Sequence, residues 1–416
     1  MKKPLLSLVA ALLLAAPAIG QGAPKPSPEQ LAKTYEEDQL SLEKCGVPRN
    51  AADDYRPAPL TADQTRAPRL KSSQGFKVDV VASGLPNAWG LAFLPSGDML
   101  VTIRGQGLKT VSPKGVVSDL ITGTPAIKSS IALFGMHDVA VDKDFAKNRT
   151  VYLAYITTPE GGVLSGYLAR AKLSADEKSL TDYKVLKEGA GFVPRRILQA
   201  KNGTLMVITA DIITPYRAAQ SMFSPNGKVL RINTDGSIPK DNPFVKIEGA
   251  DQSIYALGVR DPQGVAFKPG TNDLYINENE PRGGDELNLI KAGKDYGFPI
   301  ISYGRDNDGK LLNNGLTKLD GMEQPIHFWT PSVAFSGLTF YTGAKLPGWK
   351  NSIFMGGLSG MQLVRLELDA KGRVIGEEKL LRDRCERVRD VRQGPDGLLY
   401  LVIDAPDGKI LRISPN

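Results

Sequence analysis

The stretch GLAFLPSGDMLVT, residues 90–102, recurs in altered form along the chain. It joins two short apolar segments through a turn that contains proline, glycine and aspartate, a pattern typical of a β-hairpin. Similar segments begin at Asp138, Arg195, Gln263, Gly337 and Asp390. The copies lie roughly 50 to 75 residues apart, which is the length of a four-stranded propeller blade with insertions.

These repeats predict an all-β fold, a six-bladed β-propeller over residues 71–416. The 43 glycines and 29 prolines are spread as turn signals between apolar runs, and no long segment has a sustained helical periodicity. A weaker helical pattern begins near Ser27, so residues 21–70 are predicted to form an N-terminal arm, partly helical and then extended. Because the innermost strands of a propeller converge on a central channel, the start of each repeat is where we expect a ligand site.

The first 20 residues, MKKPLLSLVAALLLAAPAIG, combine a lysine pair, a short apolar run and small residues. This pattern predicts a cleaved signal peptide, with a retained anchor as the alternative. We therefore expect a periplasmic or secreted protein without stable membrane insertion after cleavage. The net charge of +7 is spread without a dense basic run, which argues against nucleic-acid binding. In an exported chain, a disulfide between Cys45 and Cys385 is plausible.

Three motifs carry a family resemblance. They are LGVRDPQGVAF (257–267), ENEPRGGDELNLIKAGKDYGFPIISYG (278–304) and RVRDVRQGPDGLLYLV (387–402). In these segments the chain resembles the soluble glucose/sorbosone dehydrogenases, which include the aldose sugar dehydrogenases. The resemblance implies a six-bladed propeller that uses pyrroloquinoline quinone (PQQ) and calcium to oxidise the C1 hydroxyl of an aldose, with the quinone accepting a hydride. It also implies a small-molecule sugar or alcohol substrate and an electron acceptor as partners.

The resemblance places several residues where the family contacts its quinone. Arginine suits the carboxylates of the quinone because its planar fork donates two parallel hydrogen bonds. Two positions depart from the family pattern, since Asp261 replaces the usual asparagine and Ser359 stands where a lysine is expected. The alternative for the arginines is a set of structural salt bridges between blades. The implied cofactor-binding residues are Arg260, Asp261, Gln263, Arg387 and Arg389.

Calcium prefers hard oxygen ligands such as carboxylates and backbone carbonyls. The resemblance places the carbonyls of Glu280 and Pro281 at a calcium ion beside the quinone, although glutamate stands where glycine is usual. It places Glu286 and the carbonyl of Tyr296 at a second calcium ion. For Glu286 the alternative is a loop carboxylate that caps local backbone amides.

The catalytic base of the family has no clear counterpart. Phe192, Val193, Pro194 and Arg195 stand where the family carries a His-Phe-Gly-Gly sequence. The aspartate that orients the family's histidine corresponds to Asp211. The remaining candidates for the base are therefore Asp211, if burial raises its pKa, and His137 at the start of the second repeat. The alternative for His137 is a hydrogen-bonded packing residue.

Three functions remain open at this point. The first is a PQQ-dependent dehydrogenase with reduced activity, since a general base usually contributes about 10² to 10⁴ in rate. The second is a non-catalytic propeller that binds an anionic ligand or a protein partner, with Arg195 and Arg196 adding positive charge at the channel entry. The third is a calcium-dependent lactonase-type hydrolase, whose carboxylates would be Asp138, Asp211, Asp261 and Asp390.

Overall fold

The computed structural model describes residues 27–48, 55–128, 134–159, 162–212 and 215–416. The predicted signal peptide, residues 1–20, lies outside the described residues. No helix among the residues described is long and apolar enough to cross a membrane.

Short strands make up most of the described chain. In chain order they are β1 (Phe76–Ala82), β2 (Ala88–Phe93), β3 (Met99–Ile103), β4 (Gly107–Val111), β5 (Met136–Val141), β6 (Thr150–Thr157), β7 (Ser165–Leu173), β8 (Leu180–Ala190), β9 (Pro194–Gln199), β10 (Leu205–Thr209), β11 (Lys228–Ile232), β12 (Ile254–Leu257), β13 (Pro262–Phe267), β14 (Leu274–Glu278), β15 (Asp285–Ile290), β16 (His327–Trp329), β17 (Phe335–Phe340), β18 (Ile353–Gly357), β19 (Gln362–Leu368), β20 (Val374–Leu380), β21 (Val388–Gln393), β22 (Leu399–Ile403) and β23 (Lys409–Pro415). The helices are α1 (Pro28–Lys44) and α2 (Phe145–Asn148), with 3₁₀ turns at Leu312–Gly315, Pro347–Trp349 and Arg382–Arg384.

The strands form six antiparallel sheets, which are the six blades of a propeller. In sequence order the blades are β2-β3-β4, β5-β6-β7-β8, β9-β10-β11-β12, β13-β14-β15-β16, β17-β18-β19-β20 and β21-β22-β23-β1. Each repeated segment supplies the first two strands of one blade, so the prediction of a six-bladed β-propeller is confirmed. The last blade is completed by β1, which pairs with β23 from Phe76↔Pro415 onward and so closes the ring of blades.

Every blade has a β-bulge near the start of its innermost strand. In β9, for example, Pro194 and Arg196 pair with adjacent residues of β10, which leaves Arg195 as the extra residue. The same shift occurs around His137, Gln263 and Arg389, and a two-residue version occurs in β2 and β17. Because a bulge turns a side chain away from the regular alternation of a strand, these positions can face the channel.

The core lies between neighbouring blades rather than at one centre. One apolar cluster, for example, joins Tyr152 and Leu168 of the second blade to Ile197, Val207 and Leu230 of the third. The blades therefore stack as repeated layers around the channel, in which each blade buries its faces against the next.

The arm packs along the outside of the last blades. The predicted helix near Ser27 is present as α1, and the structure joins Cys45 to Cys385 with a Cα–Cα distance of 5.3 Å. After the helix, the arm makes isolated β-bridges from Thr65 to Phe328 and from Arg69 to Glu377. The disulfide and the bridges fix the arm against the fourth, fifth and sixth blades.

Candidate functional site

The second residue of each innermost strand forms a closed ring of side chains in the channel, which we call the channel ring. Its members are Trp89, His137, Arg195, Gln263, Ser336 and Arg389. All of them are at most 5% exposed, so little of the channel is left open at this level.

The contacts run from one blade to the next around the channel ring. Trp89 stacks on His137 with ring centroids 4.9 Å apart, and His137 Nε2 lies 3.3 Å from an Arg195 nitrogen. On the other side, Gln263 Oε1 accepts from Arg389 Nη1 at 2.7 Å and from the Ser336 hydroxyl at 3.3 Å. The Arg389 guanidinium closes the ring by lying 5.6 Å from the centroid of Trp89.

Arg195 connects to the fourth blade through Asp261. Its Nε donates to Asp261 Oδ1 at 2.8 Å, and Gln263 Nε2 donates to Asp261 Oδ2, also at 2.8 Å. Arg195 stands where the family has glycine and Asp261 where it has asparagine, so two departures from the family pattern form one buried ion pair. This pair shows that Arg195 does not supply free positive charge.

The third residue of each innermost strand forms a deeper layer centred on Arg196. Its Nη1 donates to Asp138 at 3.1 Å and to Asp390 at 3.0 Å, and its guanidinium lies 4.0 Å from the Trp89 centroid. The corresponding residues of the other blades are Gly90, Gly264 and Gly337. A Cβ on Gly337 would lie only 2.2 Å from Asp390 Oδ1, so glycine there leaves room for the ionic side chains. Arg196, like Arg195, is therefore neutralised by carboxylates.

None of the positions considered for the base presents a free proton acceptor to the channel. Phe192 is 1% exposed and packs in the apolar cluster between the second and third blades. His137 Nδ1 lies 2.8 Å from the Pro194 carbonyl, which can only accept, so Nδ1 carries the proton and Nε2 accepts from Arg195. Both ring nitrogens are thus engaged. The assignment of a base to His137 stays a prediction that this geometry does not favour.

Asp211 follows β10 and is 5% exposed. Burial raises its pKa, as expected for a base, while hydrogen bonds from the Ala219 and Ala218 amides and the nearby positive charges of Lys228 and Arg260 oppose that rise. Its Oδ2 accepts from the Ala219 amide at 2.8 Å. These contacts hold the loop after β10, and a catalytic role for Asp211 stays a prediction.

Excess positive charge lies at Asp404, directly after β22. Three arginines share this one carboxylate, and we call them the Asp404 arginine group: Arg389 by hydrogen bond, Arg387 at 3.7 Å and Arg104 at 3.8 Å. Burial alone would raise the pKa of Asp404, but the three arginines lower it below its ordinary value. Burial also lowers the pKa of Arg389 to about 10. The side chain of Arg387 is 42% exposed, so it remains accessible to an anion.

Arg260 is a further arginine near the channel, and it interacts electrostatically with Asp211, Glu278 and Glu280. Its Nη1 donates to the Asn279 carbonyl at 2.6 Å, while its buried Nε has no hydrogen-bond acceptor among the described residues, and the same is true of Arg389 Nε. The Arg260 guanidinium lies 5.9 Å from the ring of Tyr216. Tyr216 lines an open cleft of about 660 Å³, together with Pro299, Ile300, Leu312 and others. The cleft therefore begins next to Arg260.

The residues predicted to hold calcium lie among buried carboxylates. Asn288 Nδ2 bridges Glu278 Oε1 at 2.8 Å and Glu286 Oε2 at 3.0 Å. Burial, followed by Glu278 and Asp285, raises the pKa of Glu286, and burial with other nearby carboxylates raises the pKa of Glu280. A divalent ion would offset the repulsion between these carboxylates, but no group of three or more acidic, histidine or cysteine side chains in the described part of the chain is arranged to hold a metal. The assignment of Glu280, Pro281, Glu286 and Tyr296 to calcium stays a prediction.

The fold agrees with the comparisons to known proteins. The family model for Glucose / Sorbosone dehydrogenase matches residues 85–412. The chain belongs to the glucose/sorbosone dehydrogenase family. It is 34% identical over 347 residues to the aldose sugar dehydrogenase YliI of Escherichia coli, which covers 81% of this chain and 92% of that protein.

Solved structures of this family have the same fold. The apo crystal structure of the soluble aldose sugar dehydrogenase from Escherichia coli superposes with a TM-score of 0.77 at 33% identity, covering 82% of this chain and all of that one. The PQQ-bound form of the aldose sugar dehydrogenase from Streptomyces coelicolor has a TM-score of 0.65 at 24% identity, covering 83% of this chain and all of that one. The latter similarity shows the fold alone.

The channel residues fit an anionic cofactor such as PQQ only in part. The unsatisfied Nε atoms of Arg260 and Arg389 suit a carboxylate. The interior of the channel does not match the family pattern, because the Arg195–Asp261 pair occupies it and the Phe192 side chain packs in the core. We therefore derive no oxidation step through the quinone for this chain.

Sequence reasoning missed several members of the site. Trp89, Ser336, Arg104 and Asp404 were not predicted, although Trp89 and Ser336 occupy the same place in their repeats as His137 and Arg195. Aligning the six repeats position by position would have found both. Arg104 and Asp404 each directly follow the second strand of a blade, and only their proximity across the closed ring identifies them.

Proposed function

We propose that this exported family member binds an anionic ligand, PQQ or a smaller carboxylate, at the channel and oxidises sugars slowly or not at all. The observation that carries the proposal is the Asp404 arginine group, in which three guanidinium groups share one carboxylate and Arg387 remains accessible. Charge-assisted hydrogen bonds from arginine to carboxylates are among the stronger polar contacts in proteins. The cleft beside Arg260 provides room for the body of such a ligand.

The absence of an accessible base supports the second half of this proposal. Removal of the alcohol proton usually requires a positioned base, and its loss costs about 10² to 10⁴ in rate. His137 and Asp211 are both engaged in hydrogen bonds, and Phe192 is packed in the core. The signal-peptide pattern supports export, so the protein would meet its ligand in the periplasm or outside the cell.

A second candidate is PQQ-dependent oxidation of an aldose. It is favoured by the similarity to the Escherichia coli aldose sugar dehydrogenase and by the retained Arg260, Gln263, Arg387 and Arg389. Bound quinone would supply the hydride acceptor, and this candidate requires a proton acceptor other than the family histidine. The lactonase-type hydrolase has less support, because Asp138 and Asp390 pair with Arg196 and Asp261 pairs with Arg195, so these carboxylates are already neutralised.

The test is a titration of purified, calcium-loaded protein with PQQ and separately with citrate, followed by absorbance or calorimetry. Aldoses and a dye acceptor are then added to the quinone-loaded protein. We expect saturable binding and a rate of dye reduction at least about a hundredfold below that of an enzyme with an intact base. Rapid dye reduction would support the second candidate, and no binding of either anion would overturn the proposal.

The variant Arg387→Gln tests the site itself. We expect about tenfold weaker binding, because the variant removes one charge-assisted contact while the largely buried Arg389 stays in place. Arg373→Gln is the matched control, since Arg373 lies 58% exposed in a hairpin where it pairs with Asp369. Equal loss of affinity in both variants would indicate a general charge effect rather than a site at Asp404.

A further inference from the structure

We propose that Arg195 decides which ligands enter the channel: held by Asp261 and His137, its side chain fills its part of the channel ring and confines ligands to the outer end, where the innermost strands begin and Arg387 lies. The inference rests on the proposed function for the ligand class, but its test is independent of whether the native protein binds PQQ. It assigns a role to two residues that depart together from the family pattern.

The two residues that depart from the family pattern, Arg195 and Asp261, contact each other. Arg195 and Asp261 lie 66 residues apart in the chain, yet Arg195 Nε donates to Asp261 Oδ1 at 2.8 Å. Both side chains are at most 7% exposed. A buried charge without a partner is strongly unfavourable, so arginine alone or aspartate alone would destabilise the channel. Present together, the two charges neutralise each other.

Contacts on two sides, with Asp261 and with His137, fix the Arg195 side chain. His137 Nε2 accepts from Arg195 Nη1 at 3.3 Å, while His137 Nδ1 is held by the Pro194 carbonyl. Asp261 is fixed in turn by Gln263, which also contacts Arg389. A flexible surface arginine could move aside for a ligand, but this one would have to break a buried ion pair and a hydrogen bond to do so.

The Arg195 side chain also takes up space in the channel ring. Glycine at position 195 would leave the second position of β9 without a side chain, whereas arginine places a guanidinium there that reaches both neighbouring blades. Because Asp261 neutralises the charge of Arg195, this arginine adds little attraction for an anion. Arg387 is the exposed cationic group left for a ligand, and the buried Nε atoms of Arg260 and Arg389 lack an acceptor among the described residues.

The experiment compares Arg195→Gly, Asp261→Asn and the double variant R195G/D261N with the native protein. Each is measured by equilibrium unfolding and by titration with PQQ, with tryptophan emission, to which Trp89 of the channel ring contributes, as a second readout. We expect each single variant to lose stability and the double variant to lose less than the sum of the two, because neither charge is left unpaired. We expect the double variant to bind PQQ at least tenfold more tightly than the native protein, with citrate affinity unchanged.

The control is R373G/D369N, which removes an exposed ion pair of the same chemistry and should leave PQQ affinity unchanged. A folded double variant that binds PQQ no more tightly than the native protein would overturn the inference. If that variant does not fold, R195S/D261N provides the same comparison with a small polar side chain in place of the glycine. Native protein that binds neither anion would refute the proposed function alone, since a gain in the double variant would still establish the role of Arg195.

Discussion

Arg196 and Asp390 form a buried ion pair of 3.0 Å although they lie 194 residues apart in the chain. Arg196 belongs to the third blade and Asp390 to the sixth, and these two blades lie opposite each other in the ring of six. The same arginine also binds Asp138 of the second blade and the backbone carbonyls of Gln263 and Arg389. A single side chain therefore links four blades at the centre of the propeller.

Replacement of Arg196 by methionine should destabilise the protein strongly. Asp138 and Asp390 would remain buried, with only Arg392 nearby to compensate them. Loss of one partner from a buried pair typically costs about 3–5 kcal/mol. We expect a decrease of this size in the free energy of unfolding, measured with denaturant. Arg373→Met, at an exposed pair, should change it by less than about 1 kcal/mol, and a similar change in both variants would contradict the central role of Arg196.

Restoring the family histidine by Phe192→His should not create sugar dehydrogenase activity. The side chain at this position packs among Tyr152, Ile197 and Leu205 rather than facing the channel. The imidazole would be buried among apolar groups, and we expect a loss of about 2–5 kcal/mol in the free energy of unfolding. Dye-linked activity and denaturant unfolding provide the measurements. The control is Phe223→His, because Phe223 is 74% exposed, and a gain of activity in Phe192→His would show that position 192 reaches the channel.

The stability of the protein should depend on pH through Lys228. Burial lowers the pKa of this lysine from 10.5 to about 7, although Asp211 partly opposes the shift. The unfolded chain therefore binds more protons than the folded chain between pH 7 and 10.5, so this group makes stability rise with pH across that window. Below pH 7 its unfavourable contribution is fully present.

The variant Lys228→Met isolates that contribution. Its free energy of unfolding should rise less steeply between pH 7 and 9.5 than that of the native protein, by up to about 1.4 kcal/mol per pH unit. The variant will also be less stable, since Lys228 donates to the Ala218, Ala219 and Asn226 carbonyls. The slope is therefore the decisive quantity. The exposed Lys350→Met serves as control, and identical slopes in all three proteins would rule out Lys228 as the source.

Addition of calcium should raise the melting temperature. A bound divalent ion would offset the repulsion between Glu286 and Glu278, and a ligand at a hundred times its dissociation constant stabilises the folded state by about 2.7 kcal/mol. Glu286→Gln should abolish most of this effect, whereas Glu248→Gln, at an exposed position, should preserve it. Thermal unfolding with calcium, magnesium or a chelator is the measurement. Equal stabilisation of the native protein and the Glu286→Gln variant would exclude Glu286 as a ligand.

The repeats predicted the propeller because each blade is a local unit. A strand, a turn and a second strand lie within 16 to 23 residues, so their apolar alternation is visible in the sequence. The helix of the arm was visible for the same reason. The channel contacts were not, because His137, Arg195 and Asp261 belong to three different blades and meet only when the ring closes.

Position 192 illustrates the limit of motif comparison. The sequence established that phenylalanine stands where the family has histidine, but not the direction of its side chain. The β-bulge after Pro194 turns Arg195 into the channel and leaves Phe192 in the core between blades. Arg195 was expected to add positive charge at the entry, and the structure corrects this expectation by pairing it with Asp261.

The six blades, the arm, the family and the missing histidine could be predicted from the sequence, because each depends on residues close together in the chain or on matched motifs. The closure of the channel ring and the neutralisation of Arg195 and Arg196 could not, because charge pairing depends on distances between blades. At the outer end, three arginines from the first and sixth blades converge on Asp404. The excess positive charge there arises only because the closed ring of blades brings these arginines together.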